Sequence, residues 1–329
     1  MKVVIVGAGI SGLTAAAALH QLGHEVIIYD TRHQIGGNCS DREMDDGTRL
    51  HMYGPHIFHT ANSAVWSFLQ KFTTFNNYSH RVVADTALGQ IPIPYNLVSE
   101  KHTRKLTDQQ IIELLFVDYS AKMWGLDWKY LPKEITERVP KRRDNKDCRY
   151  FTDEFQGIPG EGYQPMFENM AEGCMVRLAS GRHAWKKESC DLLVYTGLVD
   201  EFVDFSLGRL SYKTLDITVR EKQMGDYFPA AVLNQCNNKM YTRKADHSWW
   251  HGHEHNNVGM VTIEHPRDWE SDDVPYYPIP FGEDQVLANQ YANIRVGNNV
   301  IFLGRLATYN YLDIDKAVLQ ALNAVKQFT

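Results

Sequence analysis

The stretch Lys2-Val3-Val4-Ile5-Val6-Gly7-Ala8-Gly9-Ile10-Ser11-Gly12 decides the fold, together with the alanine-rich run that follows to Leu22 and the apolar run Val26-Ile27-Ile28-Tyr29 ending at Asp30. A short continuous apolar run, a glycine turn, a helical stretch from Ile10 to Leu22 and a second apolar run fall within about 30 residues, the pattern of a βαβ unit in a parallel sheet. Its turn carries G-x-G-x-x-G in the setting that gives the pattern meaning. Gly7 allows the tight turn, Gly9 lets the backbone approach a pyrophosphate, and Gly12 lets helix and strand pack closely, with the helix N-terminus and the Ser11 position facing the anion. Asp30, at the end of the second strand, is placed to accept hydrogen bonds from a ribose. The unit predicts a bound dinucleotide.

Arg32, Ile35, Gly36, Gly37 and Asn38 come directly after that acidic residue. This R-x-x-x-G-G continuation resembles the extended fingerprint of FAD enzymes of the glutathione-reductase and amine-oxidase type. There the arginine and second glycine pair lie along the phosphates and ribityl chain, so FAD is the cofactor the resemblance implies.

Further along, Thr107 and Gln110 make a capping box ahead of Ile111, Ile112, Leu114, Leu115, Phe116 and Tyr119, predicting a helix from Asp108 to Met123. Thr214 to Glu221 and Gly259 to Glu264 alternate as half-exposed strands of an antiparallel sheet do. Val300 to Leu303 reads as a buried strand, Gly304-Arg305 as a turn and Ile314 to Val325 as an amphipathic helix, which closes the dinucleotide domain late in the chain. Asp313, just before that helix, suits an N-cap.

The 329 residues carry 34 Lys+Arg and 40 Asp+Glu, a formal charge of −6, with 43% hydrophobic residues. That balance excludes a disordered chain and offers no basic face for nucleic acid or an anionic membrane. Cys39, Cys148, Cys174, Cys190 and Cys236 are odd in number and scattered, which fits a reducing compartment. No signal-peptide pattern and no run of about 18 apolar residues occurs, so the expectation is a cytoplasmic protein without membrane insertion. His247, His251, His253 and His255 lie close together, but no carboxylate or cysteine set accompanies them at recognisable spacing, and no metal is expected.

Several segments in shared order resemble the UDP-galactopyranose mutases: Gly54-Pro55-His56-Ile57-Phe58-His59-Thr60, Pro94-Tyr95-Asn96, Tyr119-Ser120-Ala121-Lys122-Met123-Trp124-Gly125 and Arg138-Val139-Pro140-Lys141-Arg142. Tyr150-Phe151, Phe155-Gln156-Gly157-Ile158-Pro159, Tyr195-Thr196-Gly197 with Asp200, Tyr241-Thr242-Arg243, Tyr276-Tyr277-Pro278 and Gly304-Arg305-Leu306 with Tyr309, Tyr311 and Asp313 complete the series. The resemblance implies an α/β protein, a Rossmann-like FAD-binding domain with an inserted small helical domain and an inserted antiparallel β-sheet domain. Its boundaries are expected at 1–77, 156–207 and 284–329 for the FAD domain, 97–133 for the helical insertion, and 78–96, 134–155 and 208–283 for the sheet. It also implies a redox-neutral flavoenzyme, active in the reduced form. The flavin N5 attacks the sugar anomeric carbon, displaces the nucleotide diphosphate and forms an adduct that opens and recloses as a five-membered ring.

The same resemblance assigns roles. Arg138 and Arg243 match two diphosphate arginines, and two planar guanidiniums suit the work of holding a departing diphosphate. Tyr277 and Tyr311 match tyrosines on the phosphates, and Asp313 a site aspartate that shares the cofactor region. Tyr150 matches the ring under the uracil, while Tyr119, Trp124, Asn234 and Asn96 match the lining of the nucleotide and sugar pocket. For Trp124 a core anchor is the competing role. His56 matches a histidine beside the flavin, serving as acid/base or as a shape-giving contact. Arg305 matches the cation near the pyrimidine end, which favours the anionic reduced flavin.

Three departures stand out. Pro55 stiffens the loop before His56, His80 stands where the family has an asparagine on the nucleotide, and only 23 positions separate Asn96 from Tyr119. The helical region that helps form homodimers in the family is therefore short. The expected substrate is a UDP-hexose or UDP-pentose, first UDP-galactopyranose, with UDP-arabinopyranose or UDP-N-acetylgalactosamine as alternatives. Two rival readings on the same fold are an amine-oxidase-like oxidoreductase and a protein that keeps FAD for structure only.

Overall fold

The computed structural model describes residues 1–136, 141–252, 258–294 and 296–328. A five-stranded parallel sheet forms the base, in the order Met175–Arg177, Glu25–Tyr29, Lys2–Val6, Leu192–Tyr195 and Val300–Phe302. Lys2–Val6 lies at its centre because Val3, Val4 and Ile5 are apolar on both faces, and all three are fully buried. Helix Ile10–Gln21 covers one face and packs against Ile314–Val325 and Tyr163–Ala171, with Ala15, Ala16 and Ala17 buried where the helices approach closely. The helix stops one residue before the expected Leu22, which is its cap. Val300–Phe302 is only half-buried, contrary to the expectation of a buried strand, because it takes the sheet's edge position. Gly304-Arg305 is likewise not a simple turn but opens a short helix, Gly304–Ala307.

The second sheet has seven strands, ordered Tyr277–Pro278, Tyr212–Glu221, Met260–Asp268, Arg243–Asp246, Val232–Cys236, Val82–Thr86 and Gly89–Ile93. Its pairs are antiparallel except one: Val82–Thr86 runs parallel to Val232–Cys236. The sheet is therefore mixed, not purely antiparallel. No hairpin joins these two strands, so chain direction leaves their orientation free.

Against the seven-stranded sheet pack helix Leu97–Thr103 and a helix that begins at Asp108 under a Thr107–Gln110 capping box. The latter reaches Trp124, one residue past the expectation, with a π-turn at Glu113–Val117 and a left-handed Gly125 as its stop. Among the described residues no helix is long and apolar enough to cross a membrane.

Candidate functional site

A cavity of about 450 Å³ opens at the C-terminal ends of the parallel strands, where ligands sit in sheets of this kind. Gly7, Gly9, Ser11, Gly12, Asp30, Arg32, Gly36, Gly37, Asn38, His56, Arg305 and Asp313 all line it. The glycines fit by lack of a side chain. A Cβ on Gly12 would lie 2.0 Å from the Gly7 carbonyl oxygen, and one on Gly37 2.9 Å from the Gly9 Cα. Gly7 adopts φ +103°, which only glycine takes readily.

Asp30 accepts from the Ala8 N–H at 2.7 Å through Oδ2 and from the Arg32 N–H at 2.8 Å through Oδ1. Arg32 donates to Asn38 Oδ1 at 2.7 Å and lies 4.6 Å from the centre of the Tyr53 ring, while its Nη1 is buried without a partner. A buried, unpaired guanidinium nitrogen beside two abutting glycine pairs and a helix N-terminus fits the phosphates of a dinucleotide.

His56 lies beside this cavity with Nδ1 2.8 Å from the Gly54 carbonyl, which that nitrogen's hydrogen satisfies, leaving Nε2 as an acceptor. Burial pushes its pKa down to about 4, and the charges of Arg305 and Arg243 act the same way. His56 is thus a neutral imidazole at neutral pH. Its backbone N–H donates to Nδ1 of the buried His51 at 3.0 Å. Arg305 donates to the Leu312 carbonyl at 2.6 Å, and its guanidinium lies 4.6 Å from the Tyr311 ring centre and 5.6 Å from that of Tyr277. Asp313 occupies the N-cap position as expected, its carbonyl accepting from the Ala317 N–H, but its side chain makes no capping hydrogen bond. Asp313 itself is among the residues that line the cavity.

The second group comes from the seven-stranded sheet. In register, Asn234 lies opposite Arg243, and Arg243 opposite Glu264, so three neighbouring strands present a polar row on one face. Arg243 donates through Nε to Glu264 Oε2 at 2.9 Å, with the Glu264 side chain only 1% exposed. Burial raises the Glu264 pKa and Arg243 opposes it; the other oxygen, Oε1, is buried and unpartnered. Tyr119, Tyr277 and Tyr311 lie near enough to the guanidinium to act on its charge. Burial lifts Tyr277 to about 12 and raises Tyr119 further, so both phenols remain neutral donors. Tyr277 and Tyr311 stack with ring centres 5.6 Å apart, and Arg305 covers both.

An aromatic cluster adjoins this row. His80 hydrogen-bonds through Nδ1 with the Tyr78 hydroxyl at 2.9 Å, and burial pushes its pKa down to about 3, with Arg243 acting in the same direction. Tyr150 donates its N–H to the His80 carbonyl at 2.7 Å and meets Phe151 edge-on, while Phe151 stacks on His59, itself paired to Asp153 at 2.7 Å.

Two expected residues stand elsewhere. Asn96 is 0% exposed; its Oδ1 caps helix Leu97–Thr103 by accepting from Val98 and Ser99, and its Nδ2 donates to the Asp147 carbonyl. With its amide used by backbone it serves as a cap and not as a substrate contact. Trp124 is buried at the end of its helix, edge-on to Phe281. Arg138 lies outside the described residues, as do His253 and His255. His247 accepts from the His51 N–H and Trp250 Nε1–H and donates to Thr262, so it is a buried structural group. Among the described residues no cluster suited to a metal occurs. Sequence reading missed Glu264; the only signal was an acidic residue on the inward phase of the alternating run Met260-Val261-Thr262-Ile263-Glu264.

Comparison with known proteins adds an independent line. A family model described as UDP-galactopyranose mutase matches residues 114–311, and one described as an NAD(P)-binding Rossmann-like domain matches residues 5–72. The chain is 33% identical to a dTDP-fucopyranose mutase of Escherichia coli, over 99% of this chain and 98% of that one. It is 34% identical to a probable UDP-galactopyranose mutase of Klebsiella pneumoniae, over 99% and 94%. The first of these alignments spans 371 positions against 329 residues here, so that relative carries segments this chain lacks. A solved structure of reduced UDP-galactopyranose mutase shares the fold, with TM-score 0.76 at 14% identity over 99% of this chain and 95% of that one.

Proposed function

Because the chain belongs to the UDP-galactopyranose mutase family, we propose that it is an isomerase interconverting the pyranose and furanose forms of a nucleotide sugar, UDP-galactopyranose first, with FAD as its cofactor in the reduced state. When bound, the reduced flavin supplies an electron pair to the sugar's anomeric carbon in place of the departing diphosphate. Gly7, Gly9, Ser11, Gly12 and Arg32 would hold its phosphates, Asp30 a ribose, and Arg305 the pyrimidine end.

The carrying observation is the shared wall of Tyr277 and Tyr311. Arg305, on the cofactor cavity, covers both rings, and both phenols lie near enough to Arg243 to act on its charge. A diphosphate held by Arg243 therefore lies within reach of a sugar presented to the cofactor. Arg243 keeps the leaving group close through departure and return, and each charge-assisted hydrogen bond contributes about 1.5–3 kcal/mol. Neutral Tyr119 and Tyr277 donate to the same oxygens. The aromatic cluster of Tyr150, Phe151 and His80 suits a flat base, and Arg138 is proposed as a second diphosphate group on the strength of the family motif.

The purified protein, reduced by dithionite and given a panel of nucleotide sugars, should interconvert pyranose and furanose only while its flavin is reduced. Turnover with oxidised flavin, or net oxidation of the sugar, would rule the reading out. Similarity to the dTDP-fucopyranose mutase supports a second substrate, a dTDP-deoxysugar, and the panel includes it. A cytoplasmic location is part of the proposal, as are the domain boundaries stated above.

A further inference from the structure

Lys122 lies on the helix that carries Tyr119 and Trp124, and its half-buried ammonium donates to three backbone carbonyls: Gln235 at 2.7 Å, Asn237 at 2.9 Å and Lys239 at 3.0 Å. These carbonyls belong to the end of strand Val232–Cys236 and to the turn that returns into Arg243. The turn is closed at its base by the Gln235 N–H donating to the Thr242 carbonyl at 2.8 Å. Three carbonyls that converge on one point need donors there. An ammonium is the side-chain group with three N–H donors radiating from one atom and no acceptor of its own. The described residues place no carboxylate in hydrogen-bonding contact with it; Asp118 and Lys239 are the charged side chains near enough to act on it. A second tie lies about two helical turns earlier, where Cys236 Sγ donates to the Leu115 carbonyl at 2.9 Å, inside the π-turn.

We propose that Lys122 is a positioning residue for the diphosphate site: by filling the three-carbonyl turn it fixes the Asn234–Arg243 hairpin against the helix bearing Tyr119, and so sets the spacing between the Arg243 guanidinium and the Tyr119 hydroxyl. The inference rests on the nucleotide-sugar reading given above. Lys122 touches neither Arg243 nor Tyr119; it acts through the backbone on both sides. Lysine is required here because a planar guanidinium cannot aim three donors at one convergent turn.

The test uses full-length, flavin-loaded protein and the variants K122M, K122R and K122A, with kcat and KM for the sugar, affinity for UDP, flavin content and melting temperature as readouts. K122M and K122R should keep their flavin while weakening UDP binding and lowering kcat/KM by about tenfold or more, since small misplacements of a binding group are magnified in turnover. K122A leaves an open three-carbonyl site, so ammonium chloride should restore UDP affinity and turnover where tetramethylammonium chloride at equal ionic strength does not. Wild-type UDP affinity and kcat/KM in K122M would overturn the proposal. So would a loss confined to melting temperature, or a K122A defect indifferent to ammonium. Should K122A not fold, K122M and K122R decide alone. If wild-type protein binds UDP but turns over no sugar, the mutase reading fails, while the UDP affinities of the variants still decide the role of Lys122.

Discussion

Arg243 and Glu264 form the pair on which the site's electrostatics turn. Replacing Glu264 by alanine leaves a half-buried guanidinium without its carboxylate, and leaving such a charged donor unpaired costs about 1–3 kcal/mol. Denaturant midpoints should record that loss, and an unchanged midpoint would mean the pair contributes nothing. Arg243→Ala removes the group proposed to hold the diphosphate; kcat/KM should fall about a hundredfold or more while the flavin spectrum stays intact. Loss of flavin instead would assign Arg243 to the cofactor. The buried histidines make a separate prediction. His80 and His247 are pushed down to about 3 by burial, from an ordinary 6.5, so the unfolded chain takes protons that the folded one refuses. Stability is therefore whole above pH 6.5 and declines as pH falls from there towards 3, by about 1.4 kcal/mol per pH unit for each histidine. Urea midpoints between pH 7 and 5 check the sign, and His80→Asn should flatten the slope.

Among the elements, the glycine turn separates two effects that sequence patterns merge. Gly12→Ala drives a Cβ to 2.0 Å from the Gly7 carbonyl, inside the helix–strand contact, and should impair folding itself. Gly9→Ala meets only the Gly37 Cα at 3.7 Å, an ordinary contact, so the fold should survive while flavin is lost to the methyl in its path. Thermal melts and bound-flavin absorbance distinguish the two, and equal damage by both measures would contradict it. The turn and its flanking strands are legible in sequence because their signals are local: apolar runs, glycines and a capping box each act within a few residues. The π-turn at Glu113–Val117 is not, since it depends on what the freed Leu115 carbonyl finds on a strand 121 residues away. The Asn96 cap is a third case: an asparagine before a helix is a local signal, but the family motif drew attention to a ligand role.

For the molecule as a whole, the cofactor cavity draws lining residues from both ends of the chain, from Val6 to Ala317. Bound flavin should therefore stabilise the entire fold: FAD at about 100 times its Kd should add about 2.7 kcal/mol. A denaturant midpoint that ignores added FAD would separate the cavity from the cofactor. What the sequence by itself determined is the dinucleotide unit, the late return to the parallel sheet and the family, because these rest on short-range patterns and on motif order. What only the tertiary structure decided is the pairing of Arg243 with Glu264, the neutral state of His56 and the clamp at Lys122. Those depend on strand register and burial between segments far apart in the chain, and hydrogen-bond partners and desolvation exist only once these segments have been brought together.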